Sequence, residues 1–425
     1  MKPETLALHA GFDFDPATHS VAVPIYQTSS YAFLNTQHGA DLFDLKVPGN
    51  IYTRLMNPTS DVLEKRMSAL ENGAAALAFA SGAAAITAAI QTIAQSGDNI
   101  VSASTLYGGT YNLFAHTLPA MGIQVRFADS TNPESFLSFI DDKTRAIYCE
   151  SIGNPLGNIT DFEKLAHIAH NHGLPLIVDH TVMTPFLCRP IDFGADIVIH
   201  SLTKYLGGHG TSLGGIIVDS GKFDWAKYPE RFPLLNEPDS SYHGIIYAQD
   251  CANVAFITRC RVAILRDTGA ALSPFNAFLI LQGIETCALR MERIGANTLK
   301  IAQFLESHPK VAWVNYAALP NHPDYAVLQK YSPKHASGIL TFGIKADNPM
   351  QAGARFQDSL KLFTRLVNIG DAKSLACHPA STTHRQLNEK ALQAAGVSKD
   401  MIRLSIGIEH IDDLIADLTQ ALHSV

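Results

Sequence analysis

Leu176-Ile177-Val178-Asp179 and Ile197-Val198-Ile199-His200-Ser201-Leu202-Thr203-Lys204 are the stretches that decide the fold. Each opens as a short apolar run and closes on groups that can carry chemistry. An unbroken apolar run of this length suits a strand buried on both faces, as in a parallel sheet. Working outward, similar runs occupy residues 99–103, 124–128, 146–150 and 215–218. Helical patterns at 61–71, 81–95 and 161–172 separate them; in the first, Val62, Leu63, Met67 and Leu70 fall near one face. This alternation predicts an α/β fold whose large domain is a mostly parallel sheet covered by helices. Reactive groups in such sheets gather at the carboxyl ends of strands, where Glu150, Asp179 and His200 are expected.

The remaining segments set the expected domain limits. Residues 1–60 show little periodicity and much Pro, Thr, Ser and Asn, which predicts an extended N-terminal arm lying on a neighbouring subunit. Residues 61–270 form the expected large domain. Residues 271–425 form a smaller α/β domain, with one long helical stretch at 274–304 and strands near 338–344 and 401–406. Pro229, Pro233 and Pro238, with several aromatics, interrupt the rhythm at 221–250 and read as a surface insertion.

Composition removes several classes of function. A chain of 425 residues, 47% of them hydrophobic, is long enough for more than one packed domain. No long uncharged apolar stretch appears, so a membrane span is not expected, and the first ten residues lack a secretory pattern. The formal net charge is -7 with no basic cluster, which argues against nucleic acid as a partner. Cys149, Cys188, Cys251, Cys260, Cys287 and Cys377 form no C-x-x-C pair, so no metal is expected. Scattered thiols suit a reducing, cytoplasmic compartment. No G-x-G-x-x-G lies between a first strand and helix, which removes the main mark of a nicotinamide dehydrogenase.

Lys204 follows its strand by a short turn, beside Ser201, Thr203 and the Gly207-Gly208-His209-Gly210 turn. Hydroxyls and open backbone N–H groups bind phosphate, and a desolvated lysine can form an imine with an aldehyde. Taken alone, the segment reads more readily as a solvated surface lysine before a turn. Asp179 shifts the balance. A carboxylate closing an apolar strand needs a partner, and a pyridinium nitrogen would be one. Ser81-Gly82-Ala83 opens a helix whose N–H groups could cradle phosphate, though Ser81 could also be an ordinary cap. Tyr107 follows a strand and could stack on a flat ring or pack in the core. Tyr52 and Arg54 pair a phenol with a guanidinium in the arm, suited to phosphate or to a surface ion pair. Arg403 is a charge inside an apolar strand and needs an anion such as a substrate carboxylate.

These segments, with Tyr107-Gly108-Gly109-Thr110, His378-Pro379-Ala380-Ser381 and Arg403-Leu404-Ser405-Ile406-Gly407, resemble the Cys/Met-metabolism family of pyridoxal-phosphate enzymes along nearly the whole chain. Thr5-Leu6-Ala7-Leu8-His9-Ala10-Gly11, residues 51–73 and the insertion with Tyr242-His243-Gly244 point to its branch acting on O-acetylated homoserine. The resemblance implies the aminotransferase fold type I and pyridoxal 5'-phosphate held by Lys204. It implies Asp179 at the ring nitrogen, Tyr107 stacked on the ring, and Asn154 near the ring oxygen. Ser81, Gly82, Ala83, Ser201 and Thr203 would hold the phosphate, with Tyr52 and Arg54 from a neighbouring subunit of a homotetramer. Lys204, Tyr107 and Asp179 would be catalytic; Arg403 and Asn368 would bind substrate. The implied reaction joins O-acetyl-L-homoserine to sulfide or methanethiol, giving homocysteine or methionine plus acetate. Cystathionine γ-synthases and γ-lyases share the scaffold and form the alternative. One departure stands out: His180 follows the aspartate where the family usually has Asn.

Overall fold

The computed structural model describes residues 1–44, 46–382, 385 and 396–425. Two sheets organise it. The larger has seven strands: β1 (Ala75–Phe79), β2 (Asn99–Ala103), β3 (Gln124–Ala128), β4 (Thr144–Glu150), β5 (Leu176–Asp179), β6 (Ile197–Ser201) and β7 (Gly215–Asp219). Their spatial order is β1-β7-β6-β5-β4-β2-β3. The five strands from β6 to β3 run parallel, and β7 and β1 add an antiparallel edge. The carboxyl ends of β4, β5 and β6 therefore lie side by side, with Glu150 opposite Asp179 in register.

Four helices precede or flank this sheet early in the chain: α1 (Pro3–His9), α2 (Thr36–Phe43), α3 (Pro58–Glu71) and α4 (Gly82–Ile93). Asn57 caps α3 through its side chain and Pro58 suits the first turn, so α3 starts three residues before the expected position. α1 packs on its own chain: Ala7 is buried, and buried Arg66 of α3 donates to the Ala10 carbonyl at 3.0 Å. Ala75-Ala76-Leu77-Ala78-Phe79 forms β1, a strand not anticipated because alanine favours helix in isolation. Pairing with β7 overrides that preference.

The second sheet has the order β10-β11-β12-β9-β8. Its strands are β8 (Val311–Asn315), β9 (Ile339–Ile344), β10 (Thr364–Arg365), β11 (Leu375–Cys377) and β12 (Met401–Ser405). Two expectations are corrected. The stretch 274–304 is two helices, Pro274–Glu285 and Cys287–Ser307, broken at Thr286. Buried Arg290 explains the break by donating to the carbonyls of Tyr205, Leu206 and Gly283, which turns the second helix toward the Lys204 loop. Residues 221–250 are no mere surface insertion, because Trp225, Phe232, Leu235 and Tyr247 are buried in the core. Pro233 starts one of their short helices, Pro233–Asn236, and two more lie at Trp225–Lys227 and Tyr247–Asp250. Buried apolar residues from Ala7 to Leu422 form one contiguous core through both sheets.

Candidate active site

Lys204 sits in the turn after β6, its N–H bonded to the Ser201 carbonyl at 3.2 Å. Its ammonium donates to Asn368 Oδ1 at 2.6 Å, reaching across to the loop between β10 and β11. Arg403, near the middle of β12, donates to Asn154 Oδ1 at 3.2 Å and to the Asn368 carbonyl at 3.5 Å. The two sheets thus converge on one cluster of Lys204, Asn368, Arg403 and Asn154. Burial pushes the Lys204 amine below its ordinary value, and the Arg403 charge adds to the shift. Burial likewise lowers the Arg403 guanidinium. Among the described residues no carboxylate is paired with either cation. Two enclosed cations without a counterion make a site for an anionic ligand.

Asp179 closes β5 and accepts the Thr181 N–H at 3.0 Å. Burial raises its carboxyl, and the Thr181 bonds oppose that rise. Behind it, His180 is wholly buried, with Nε2 bonded to the carbonyls of Thr184 at 3.1 Å and Cys188 at 2.9 Å. His180 therefore both hydrogen-bonds and packs. Its ring lies 5.5 Å from that of His200, which pairs with buried Glu71 at 2.6 Å. His200 thus faces away into this buried group rather than into the cluster around Lys204.

The N-terminus of α4 faces the end of β6. Ser81 spends its hydroxyl as the cap, accepting the Ala84 N–H at 3.1 Å. The Gly82 and Ala83 N–H groups precede the first intrahelical bond and remain open to an anion. A Cβ on Gly82 would stand 2.7 Å from Ser201 Cβ, so glycine alone permits this close approach. Thr203 bonds both ways with Gly214, accepting its N–H at 3.1 Å and donating to its carbonyl at 3.3 Å. Tyr107 begins the helix Gly108–Asn112 with its side chain 52% exposed. Its N–H donates to buried Glu150 at 2.7 Å. Glu150 and Thr181 are contacts that the sequence reading assigned no role; their register opposite or beside Asp179 is the signal that finds them.

Tyr52 and Arg54 are not brought to this cluster within one chain. Tyr52 bridges to Ser30, and the Arg54 guanidinium lies 5.2 Å above the Tyr52 ring, both exposed on the arm. Among the described residues, no group of three or more His, Cys, Asp or Glu could hold a metal.

A desolvated lysine, a strand-end carboxylate and an open helix N-terminus on a mostly parallel sheet define a site for an anionic carbonyl cofactor. The donor set fits pyridoxal phosphate: Lys204 for the aldehyde, Asp179 for a protonated ring nitrogen, and the Gly82–Ser201 cradle for phosphate. Residues 4–423 match the family described as Cys/Met metabolism PLP-dependent enzyme, and the chain belongs to that family. It is 52% identical over 420 residues to the homocysteine synthase of Schizosaccharomyces pombe, covering 99% of this chain and 97% of the relative. It is 51% identical over 432 residues to the O-acetyl-L-homoserine sulfhydrylase of Leptospira meyeri, covering 100% and 97%. Among solved structures, a putative O-acetylhomoserine (thiol)-lyase of Campylobacter jejuni matches with a TM-score of 0.96, 45% identity and full coverage of both chains. That crystal structure carries N'-pyridoxyl-lysine-5'-monophosphate.

Proposed function

We propose that this enzyme converts O-acetyl-L-homoserine and sulfide to homocysteine and acetate by γ-replacement. The observation that carries the reading is the convergence of Lys204, Asn368 and Arg403 at the carboxyl edge of the sheet. The relatives named for homocysteine synthesis and O-acetylhomoserine sulfhydrylation support the substrate pair. In overall balance, hydrosulfide forms a bond to the γ-carbon, the γ-carbon–oxygen bond breaks, and acetate leaves with the electron pair. Methanethiol in place of sulfide would give methionine.

When bound, pyridoxal phosphate supplies an electron-withdrawing ring that stabilises negative charge beside the amino nitrogen of the substrate. Lys204 would hold it, with the Gly82 and Ala83 amides, Ser201, Thr203 and the Ser81 cap shaping the phosphate end. Asp179 would keep a proton on the ring nitrogen, Tyr107 would stack on the ring, and Asn154 would lie near the ring oxygen. Arg403, helped by Asn368, would hold the substrate carboxylate and so aim the α-hydrogen at Lys204. The Lys204 Nζ, whose charged form burial disfavours, would take and return protons at the carbon skeleton.

The division into arm (1–60), cofactor domain (61–270) and C-terminal domain (271–425) belongs to the same proposal. So does a homotetramer of two dimers in which Tyr52 and Arg54 reach the neighbour's phosphate. Val21 and Leu34 on the arm are 82% and 85% exposed, apolar surface that a second subunit would cover. Six unpaired thiols support a reducing, cytoplasmic setting. No helix among the described residues is long and apolar enough to cross a membrane.

The test is direct. Purified enzyme given O-acetyl-L-homoserine and sulfide yields homocysteine, and Lys204→Ala yields none. A 2-oxoacid and ammonia released without any thiol would instead make the enzyme a lyase.

A further inference from the structure

Glu150 is a buried carboxyl that the proposed chemistry leaves without a task. It ends β4 directly opposite Asp179 in the register of two parallel strands. Its Oε1 accepts the Tyr107 N–H at 2.7 Å. That bond spans 43 residues of sequence and ties the loop after β2 to the end of β4. The Tyr107 ring has no comparable anchor: it is half exposed, and its hydroxyl makes no hydrogen bond among the described residues. Backbone placement therefore decides where the ring stands. We propose that Glu150 is the positioning residue for Tyr107, setting the height of its ring over the cofactor through the main-chain amide.

Burial raises the Glu150 carboxyl well above its ordinary value, and the neighbouring Asp179 charge adds to the rise. Two facing carboxyls in one enclosed place favour a single charge, and Asp179 has the better support through Thr181. What the Tyr107 amide uses is the Glu150 Oε1 acceptor, which does not require a charge. Glutamine keeps an oxygen acceptor there; alanine removes it.

The inference rests on Tyr107 meeting the cofactor, as proposed above, but not on which sulfur donor reacts. Apoprotein of each variant is titrated with pyridoxal phosphate, and binding is followed by visible circular dichroism. Glu150→Ala raises the dissociation constant roughly tenfold, the worth of one lost hydrogen bond in a positioning role. Glu150→Gln stays close to wild type. In a Tyr107→Ala background, Glu150→Ala adds nothing, because the ring it positions is gone. Far-ultraviolet dichroism checks that each variant folds, and Glu150→Gln carries the test if alanine does not. Additive losses in the double variant, a glutamine variant as weak as alanine, or an unchanged constant in Tyr107→Ala would each overturn the proposal. Failure to make homocysteine, with this cycle intact, would instead count against the reaction alone.

Discussion

His180 donates its Nε2 hydrogen to two carbonyls, Thr184 and Cys188, and in doing so closes the loop that follows Asp179. Both partners are acceptors, so the hydrogen must sit on Nε2 and the buried Nδ1 is left without a partner. Burial holds the pKa of His180 down at about 4. Between that value and the ordinary 6.5, the unfolded chain binds a proton that the folded group refuses. Stability from His180 is therefore intact above pH 6.5 and declines as pH falls toward 4, by about 1.4 kcal/mol per pH unit. Asparagine does not titrate. The melting-temperature deficit of His180→Asn relative to wild type should shrink on going from about pH 7 to about pH 5. A deficit that stays constant or widens would contradict the assignment. Glu71, raised to about 7 by burial, titrates with the opposite sign, so only the comparison with the variant isolates His180.

At the scale of elements, the meeting of α4 with the end of β6 sets the phosphate end of the site. Alanine is the better helix former, so Gly82→Ala would help α4 by itself. In place, its Cβ would lie 2.7 Å from Ser201 Cβ and force the two elements apart. Cofactor affinity should fall about tenfold while the melting temperature of the apoprotein changes little, read by cofactor titration beside thermal melts. An affinity equal to wild type would show that the close approach is dispensable. The parallel strands were legible as short apolar runs, and all five of their carboxyl ends fell within a residue of expectation because the run stops where burial stops. Residues 221–250 were not, since a partly buried segment of three- and four-residue helices has no regular period. The Thr286 break was equally silent, because Arg290 acts on carbonyls in a distant loop.

For the whole molecule, the exposed arm poses the sharpest question. Its Tyr52 and Arg54 make their contacts within the arm, while the anion cradle lies at the sheet edge. If they serve a neighbour's site, Arg54→Ala and Lys204→Ala subunits fail separately and complement each other when mixed. Random re-pairing in a two-fold dimer should restore about a quarter of wild-type activity per subunit. No recovery after verified subunit exchange would show that Arg54 does not serve a neighbour's site.

The strands that end at Asp179 and Ser201, and the turn that carries Lys204, were determined by the sequence alone, because periodicity and residue type are local properties. The need of Arg403 for an anion was equally readable, since a charge in an apolar strand announces an unmet cost. Only the tertiary structure decided that Lys204 meets Asn368 across 164 residues, and that Glu150 holds the amide of Tyr107. Those contacts depend on strand register and on how two sheets share one core, and neither is written in any single segment.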